Sequence, residues 1–481
     1  MRPSPFLLLL LALLSGCDLL AEPTEPKIVS PATWVSPQPS VTTADIWPAA
    51  DWWHGFKNAE LDSLIAAAKA DNLDIGMAEA RIEQAEAQKR SASSGLWPQL
   101  GLGFDASRRG PLDADAVAAE NSSGGGGATA PALDSNSFGL SLTASYEVDF
   151  WGRVRSQRNA AEASLLASRF DQQTVALTAT TSVATTYLQI LSLRDRIAIA
   201  DNNLANARDV LRVVEAKARL GAVSPADLAQ QKGVVAAQEA ALAPLEQQER
   251  ENIYALALLL GRNPEDLAVK ARSLDEVAVP PLATGLPSEL LTRRPDIAKV
   301  EADLVAADAN VVAARAAMLP SVNLSGALSL ETAVLSTLFG PAGAAYSVAG
   351  SVMQTIFDGG KLAADADLAE AQRKELILNY RSVIITAFSE VENALAAIHA
   401  LDRQFALQKV QVDQAEIAFR IVRTRYRGGS DDLVTLLDAQ RTLFDAEDSL
   451  GQLRLQQLQA IVTLYKALGG GWRLPTPADA V

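Results

Sequence analysis

The sequence predicts a mostly helical, internally duplicated chain that carries four membrane-type β-strands. Three observations lead there: an ordered internal repeat, period-two apolar patterning at four matching places, and two proline-free stretches of nearly 70 residues. The repeat has two blocks. Asp74-Ile75 to Leu96-Trp97-Pro98 matches Asp296-Ile297 to Met318-Leu319-Pro320 at an offset of 222. The following block matches at an offset of 208, pairing Ala161-Glu162-Ala163 with Ala369-Glu370-Ala371, Gly221 with Gly429, Leu242 with Leu450, and Tyr254 to Gly261 with Val462 to Gly469. The offset falls by 14 between Pro98 and Gly152, which places an insertion there, and Gly124 to Gly127 mark it as a loop by composition.

Each half has the same plan. A helix of about 35 residues is expected to end at Pro98 and again at Pro320. Alternating segments follow. In the first half they carry Leu100, Leu102, Phe104 and Ala106, then Phe138, Leu140, Leu142, Ala144, Tyr146 and Val148. In the second they carry Val322, Leu324, Leu328 and Leu330, then Tyr346, Val348 and Val352. Period two over about ten residues is the pattern of a strand with one face in lipid. Proline is absent from Gly152 to Arg219 and from Gly360 to Arg427. Helices of that length reach roughly 100 Å at about 1.5 Å per residue. The chain then turns back. Ser224 reads as an N-cap with Pro225 first in the helix and Asp227 in its first turn, and Gly428-Gly429-Ser430-Asp431-Asp432 makes the equivalent turn. Gly261 and Gly469 to Gly471 stop the returning helices.

Four strands cannot close a barrel, and open edges are not tolerated in lipid. Several copies must therefore share one barrel. Two copies give eight strands and an interior filled by side chains, whereas three give twelve, the smallest multiple of four with room for a pore. Helices near 100 Å must likewise pack against other helices. The expected fold is thus a trimeric 12-stranded β-barrel, and the intrachain repeat would give a pseudo-sixfold helical tube beneath it. Domain bounds follow the repeat: 1–16 a leader, 17–58 a linker, 59–261 the first repeat with its hairpin near 99–150, 262–288 a connecting segment, 289–469 the second repeat with its hairpin near 321–357, and 470–481 a tail.

Composition narrows the function. The 481 residues carry a net charge of −15, with 49% hydrophobic and only 5% aromatic residues. That charge argues against nucleic-acid partners. One cysteine and two distant histidines, His54 and His399, leave no metal cluster. Gly101-Leu102-Gly103-Phe104-Asp105-Ala106 imitates a nucleotide-binding pattern, but Gly110-Pro111 intervene before any helix. No nucleophile–base spacing suggests catalysis, so neither an enzyme nor a cofactor is expected. Arg2, the apolar run Phe6 to Leu14 and Leu14-Ser15-Gly16-Cys17 resemble a bacterial lipoprotein leader, with Cys17 as the acylated residue. Asp18 resembles an inner-membrane retention signal, against the rest of the chain.

Nearly the whole mature chain resembles the TolC-like outer-membrane efflux proteins, in the lipoprotein branch that serves resistance-nodulation-division pumps. The resemblance is carried by Trp52-Trp53-His54-Gly55-Phe56, Leu291-Thr292-Arg293-Arg294-Pro295-Asp296-Ile297, Tyr146 to Arg153, Phe357-Asp358-Gly359-Gly360-Lys361 and Leu436-Leu437-Asp438-Ala439-Gln440-Arg441. It implies a homotrimer in outer-membrane lipid, a 12-stranded β-barrel continuous with a 12-helix periplasmic α-barrel, an equatorial belt, and docking to a periplasmic adaptor and an inner-membrane pump. The hairpin tips, Leu220, Gly221, Ala222, Val223 and Ser224 with Gly428, Gly429 and Ser430, are the expected adaptor contacts. Asp431 and Asp432 are the expected periplasmic gate, an acidic ring near a threefold axis, and Arg425 and Arg427 its tethers. Turn chemistry and helix capping explain the same residues without a gate. A type I secretion duct shares the fold. A periplasmic coiled-coil scaffold would have no use for the strands.

Overall fold

The computed structural model describes residues 31, 33–36, 47–110, 135–280, 282, 287–340 and 343–474. The leader, Cys17, Asp18, the Gly124–Gly127 loop and most of the tail lie outside them. In chain order the elements are α1 (Ala59–Asp71), α2 (Leu73–Ser94), β1 (Gln99–Arg109), β2 (Ser135–Val148), α3 (Arg153–Arg219), α4 (Pro225–Leu259), α5 (Pro295–Ala316), β3 (Ser321–Thr332), β4 (Ala344–Met353), α6 (Lys361–Gly428) and α7 (Leu433–Ala467).

One expectation needs correcting. The helix thought to run unbroken to Pro98 is two helices parted at Asn72, whose backbone is extended. The Asn72 side chain accepts from the Asp74 and Ile75 amides at 2.9 and 3.1 Å, starting α2, and donates to the Leu259 carbonyl at 2.7 Å. In the second half α5 matches α2 alone, each spanning 22 residues. Pro295 opens α5, and a 3-10 turn over Pro287–Thr292 precedes it.

The described residues form two compact bodies. The first, Gln84–Leu165 with Ala302–Ile377, holds the strands. They make one antiparallel sheet in the order β1-β2-β3-β4. Asp149 caps α3 through the Val154 and Arg155 amides, and Asp358 caps α6 through Gly360, Lys361 and Leu362. Facing helices carry ion pairs, Lys89–Glu162 at 2.7 Å and Arg373–Asp308 at 2.5 Å.

The second body is Lys27–Glu83, Leu166–Glu301 and Leu378–Val481. Its larger core gathers Trp52, Phe56, Leu61 and Ile65 with Tyr187, Leu188 and Leu191 of α3, Leu256 and Leu260, Leu395 of α6, and Leu458 and Val462 of α7. A separate small core, with Val210 and Val214 of α3, Phe419 and Tyr426 of α6, and Leu433, Leu436 and Leu443 of α7, serves the hairpin ends. Packing through these stripes, rather than helix propensity alone, makes helices this long stable.

A membrane sheet, an arginine clamp and two hairpin tips

In the sheet, register puts every alternating apolar set on one face. Leu100, Leu102 and Phe104 pair with Ala144, Leu142 and Leu140, and the last two pair onward with Leu328 and Leu330. Val322 and Leu328 continue to Val352 and Tyr346. This face is bare: Leu102 is 75% exposed and Tyr346 and Val348 are each 84% exposed. The opposite face carries Gly101, Gly103, Ser141, Thr143, Asn323, Ser325, Ser347 and Ser351. An apolar face on one side and a hydroxyl-rich face on the other is the division between lipid and a water-filled lumen. Trp97, Phe150 and Phe357 are exposed just beyond the ends where the strands meet the helices. Exposed aromatics at one level mark a membrane interface. β1 and β4 each have one strand neighbour, so both edges are open.

In the second body, Arg294 is the most tightly held part of the motif around it. Its guanidinium grips Asp296 in a fork at 3.0 and 2.6 Å, pairs with Glu390 at 2.7 Å, and donates to the Ala467 carbonyl at 3.0 Å. The side chain is 9% exposed. Burial alone would disfavour the charge, but Asp296 and Glu390 more than offset that and raise its pKa. Arg294 thus closes the end of α7 and fixes the start of α5.

Both hairpin tips fold as their cap residues dictate. Ser224 and Asp227 form a reciprocal capping box with Pro225 in the first turn of α4. Gly221 (φ +70°) and Gly429 (φ +84°) take the left-handed conformation that ends α3 and α6. Leu220 is 84% exposed. Ala222, Gly428 and Ser430 are exposed too, while Val223 packs against the small core. The two aspartates of the second tip do different work. Asp432 caps α7 by accepting from the Thr435 amide at 2.8 Å, and the Thr435 backbone N–H, then its hydroxyl, hold this carboxyl below its ordinary pKa. Asp431 pairs with Arg425 at 3.0 Å and is only 12% exposed. Arg427 lies exposed in the last turn of α6.

One tip residue, Lys217, escaped the sequence reading, and so did its pairing with Tyr426 at the start of the second tip. The Lys217 ammonium donates to the Tyr426 carbonyl at 2.6 Å and sits 4.0 Å from the centre of its ring, joining one hairpin to the other. The Tyr426 hydroxyl is buried without a hydrogen-bond partner among the described residues, and burial, with Asp227 adding to it, raises its pKa. Only the Gly221–Gly429 match pointed towards this pairing.

A family model for outer membrane efflux proteins matches residues 64–262 and 286–470. The chain belongs to the outer membrane efflux protein family. It is 42% identical over 463 residues to the pyoverdine export outer membrane protein OpmQ of Pseudomonas putida, covering 95% of each chain. Its fold superimposes on the Campylobacter jejuni CmeC outer membrane channel with a TM-score of 0.85, covering 95% of this chain and 96% of that one at 24% identity. The open state of the Neisseria gonorrhoeae MtrE outer membrane channel gives a TM-score of 0.82 at 29% identity, covering 94% and 98%. The fold class expected from the sequence, that of a trimeric outer-membrane channel protein with four strands per chain, is the one found. This is an outer-membrane efflux protein, and the family to which it belongs consists of channel proteins rather than enzymes.

Proposed function

We propose that three copies of this chain close a 12-stranded barrel, edge β1 of one against edge β4 of the next, over a 12-helix periplasmic tube. The sheet with one lipid face and two unpaired edges carries this reading. The trimer is the exit duct of a tripartite system. A periplasmic adaptor grips the tips at Leu220 to Ser224 and Gly428 to Ser430, and an inner-membrane resistance-nodulation-division pump selects the small-molecule cargo. Cys17 carries the lipid anchor in the outer membrane. Asp431 and Asp432 line the periplasmic gate, with Arg425 and Arg427 as its tethers. The duct carries out no catalysis and needs no cofactor. The relative named for pyoverdine export makes pyoverdine the first cargo to assay.

Planar-bilayer recording on the purified full chain tests this, with gel mobility before and after heating. Discrete conductance from a heat-resistant trimer is expected. A monomer that is silent in bilayers refutes the duct.

A further inference from the structure

The second body also has an open cavity of about 350 Å³ that export does not require, lined by Trp52, Trp53, Trp472, Lys69, Glu79, Gln172 and Gln173 among others. Its floor is rigid. Trp52 is 4% exposed and packs edge-on against Trp53 and Phe56. Gly470 closes the wall at φ +59°, where a Cβ would lie 2.2 Å from Leu177 and 3.5 Å from Trp52 Nε1. Trp472 is braced edge-on by Phe170 at 5.7 Å.

The polar inventory around these rings is unfilled. The indole N–H of Trp52, in a residue 96% buried, has no hydrogen-bond acceptor among the described residues. Gln173 donates to Gln172 at 2.7 Å, which leaves the Gln172 amide hydrogens and the Gln173 oxygen available. Glu79 is exposed and makes no ion pair among the described residues. Lys69 sits 4.1 Å from the Trp53 ring centre and keeps its N–H donors. Both unfilled donors and unfilled acceptors thus line the same cavity as three indoles, with one positive and one negative charge. An apolar ligand would strand those polar groups, and a simple ion would make no use of the rings.

We propose that this cavity binds one pyranose unit of an envelope glycan. A pyranose offers an apolar C–H face to indole and a ring of hydroxyls that both donate and accept. Such a contact would hold the channel to the glycan of the envelope independently of transport. Two sources share this chemistry, the peptidoglycan strand and the sugar core of lipopolysaccharide.

Tryptophan fluorescence of the full chain in detergent tests the proposal, because three of the seven tryptophans line the cavity. The probes are peptide-free peptidoglycan oligosaccharides and deacylated lipopolysaccharide core. A saturable change with at least one is expected, and the responding probe identifies the source. Glu79→Gln and Gln172→Ala keep every tryptophan and should weaken that response tenfold or more while leaving trimer and conductance unchanged. Trp472→Leu should abolish it. No saturable response to either probe in the millimolar range, or wild-type affinity in the Glu79 and Gln172 variants, overturns the proposal.

Discussion

Replacing Arg294 with methionine removes a buried cation while keeping most of its volume. The loss comprises a forked bond to Asp296, a pair to Glu390 and the cap on Ala467. Hydrogen bonds to charged groups contribute about 1.5–3 kcal/mol each, but these do not add. Asp296 and Glu390 are 30% and 48% exposed, so water recovers much of their solvation once the cation is gone. The Ala467 carbonyl bond is buried and recovers little. Removing one partner of a buried pair costs about 3–5 kcal/mol, and discounting for the two half-exposed carboxylates leaves about 3 kcal/mol. At about 1.36 kcal/mol per tenfold, that is roughly a 150-fold rise in local opening. Hydrogen exchange of the last turn of α7, at the amides of Leu464 to Leu468, measures it directly. Arg294→Lys keeps the charge but not the planar fork and should recover only part of the protection. Exchange in Arg294→Met within threefold of wild type, or full recovery by lysine, would refute the clamp.

Two further outcomes follow from the geometry and one from the sequence. The Asp432 cap has its carboxyl pKa held down in the folded state, so its contribution is present above the unfolded value near about 4 and fades as pH falls through the folded one. Acid should therefore loosen the start of α7, and Asp432→Asn, which caps equally well, should remove that pH dependence in amide exchange without opening the turn at neutral pH. Val348→Arg on the lipid face should cost about 2–4 kcal/mol and deplete heat-resistant oligomer, whereas Ser347→Arg on the other face should be tolerated, so equal effects would mean that the register is wrong. Cys17→Ser should abolish incorporation of radiolabelled palmitate, and labelling that persists would place the anchor elsewhere.

The sheet was legible because its chemistry is local. Side chains at Leu100, Leu102 and Phe104 announce their face by alternation, without reference to any partner. The tips were legible for a similar reason, since Ser224, Pro225, Gly221 and Gly429 each answer a backbone need within four residues. What stayed hidden depends on atoms distant in sequence. Asn72 reads as an ordinary position in a helical run until the Leu259 carbonyl is placed beside it. Arg294 carries a family resemblance, but its role needs Glu390 and Ala467, 96 and 173 residues away. Lys217 is one basic residue among many until it lies over Tyr426.

The repeat explains where the halves agree and where they part. Asn72 and Arg294 are matched at the offset of 222, and the carbonyls they grip, Leu259 and Ala467, at 208. Gly261 and Gly469, also matched, both need positive φ and both press so closely on a backbone carbonyl, of Asp71 and of Arg293, that no Cβ fits. One backbone joint is thus held twice, by an amide in one half and a guanidinium in the other. The tips share backbone in the same way: Ala222 donates to the Lys217 carbonyl and Ser430 to that of Arg425, each at 2.9 Å. Their side chains diverge at one decisive place. The position of Asp431 in the second tip is Val223 in the first. Arg425 therefore finds a carboxylate in its own hairpin, whereas Lys217 meets Val223 at the matching position and reaches across to Tyr426. The second hairpin is closed on itself and the first is closed onto the second. Any motion that separates the hairpins breaks the Lys217 contact but leaves Arg425–Asp431 whole, so the asymmetry lies in which hairpin can move without losing its own tip.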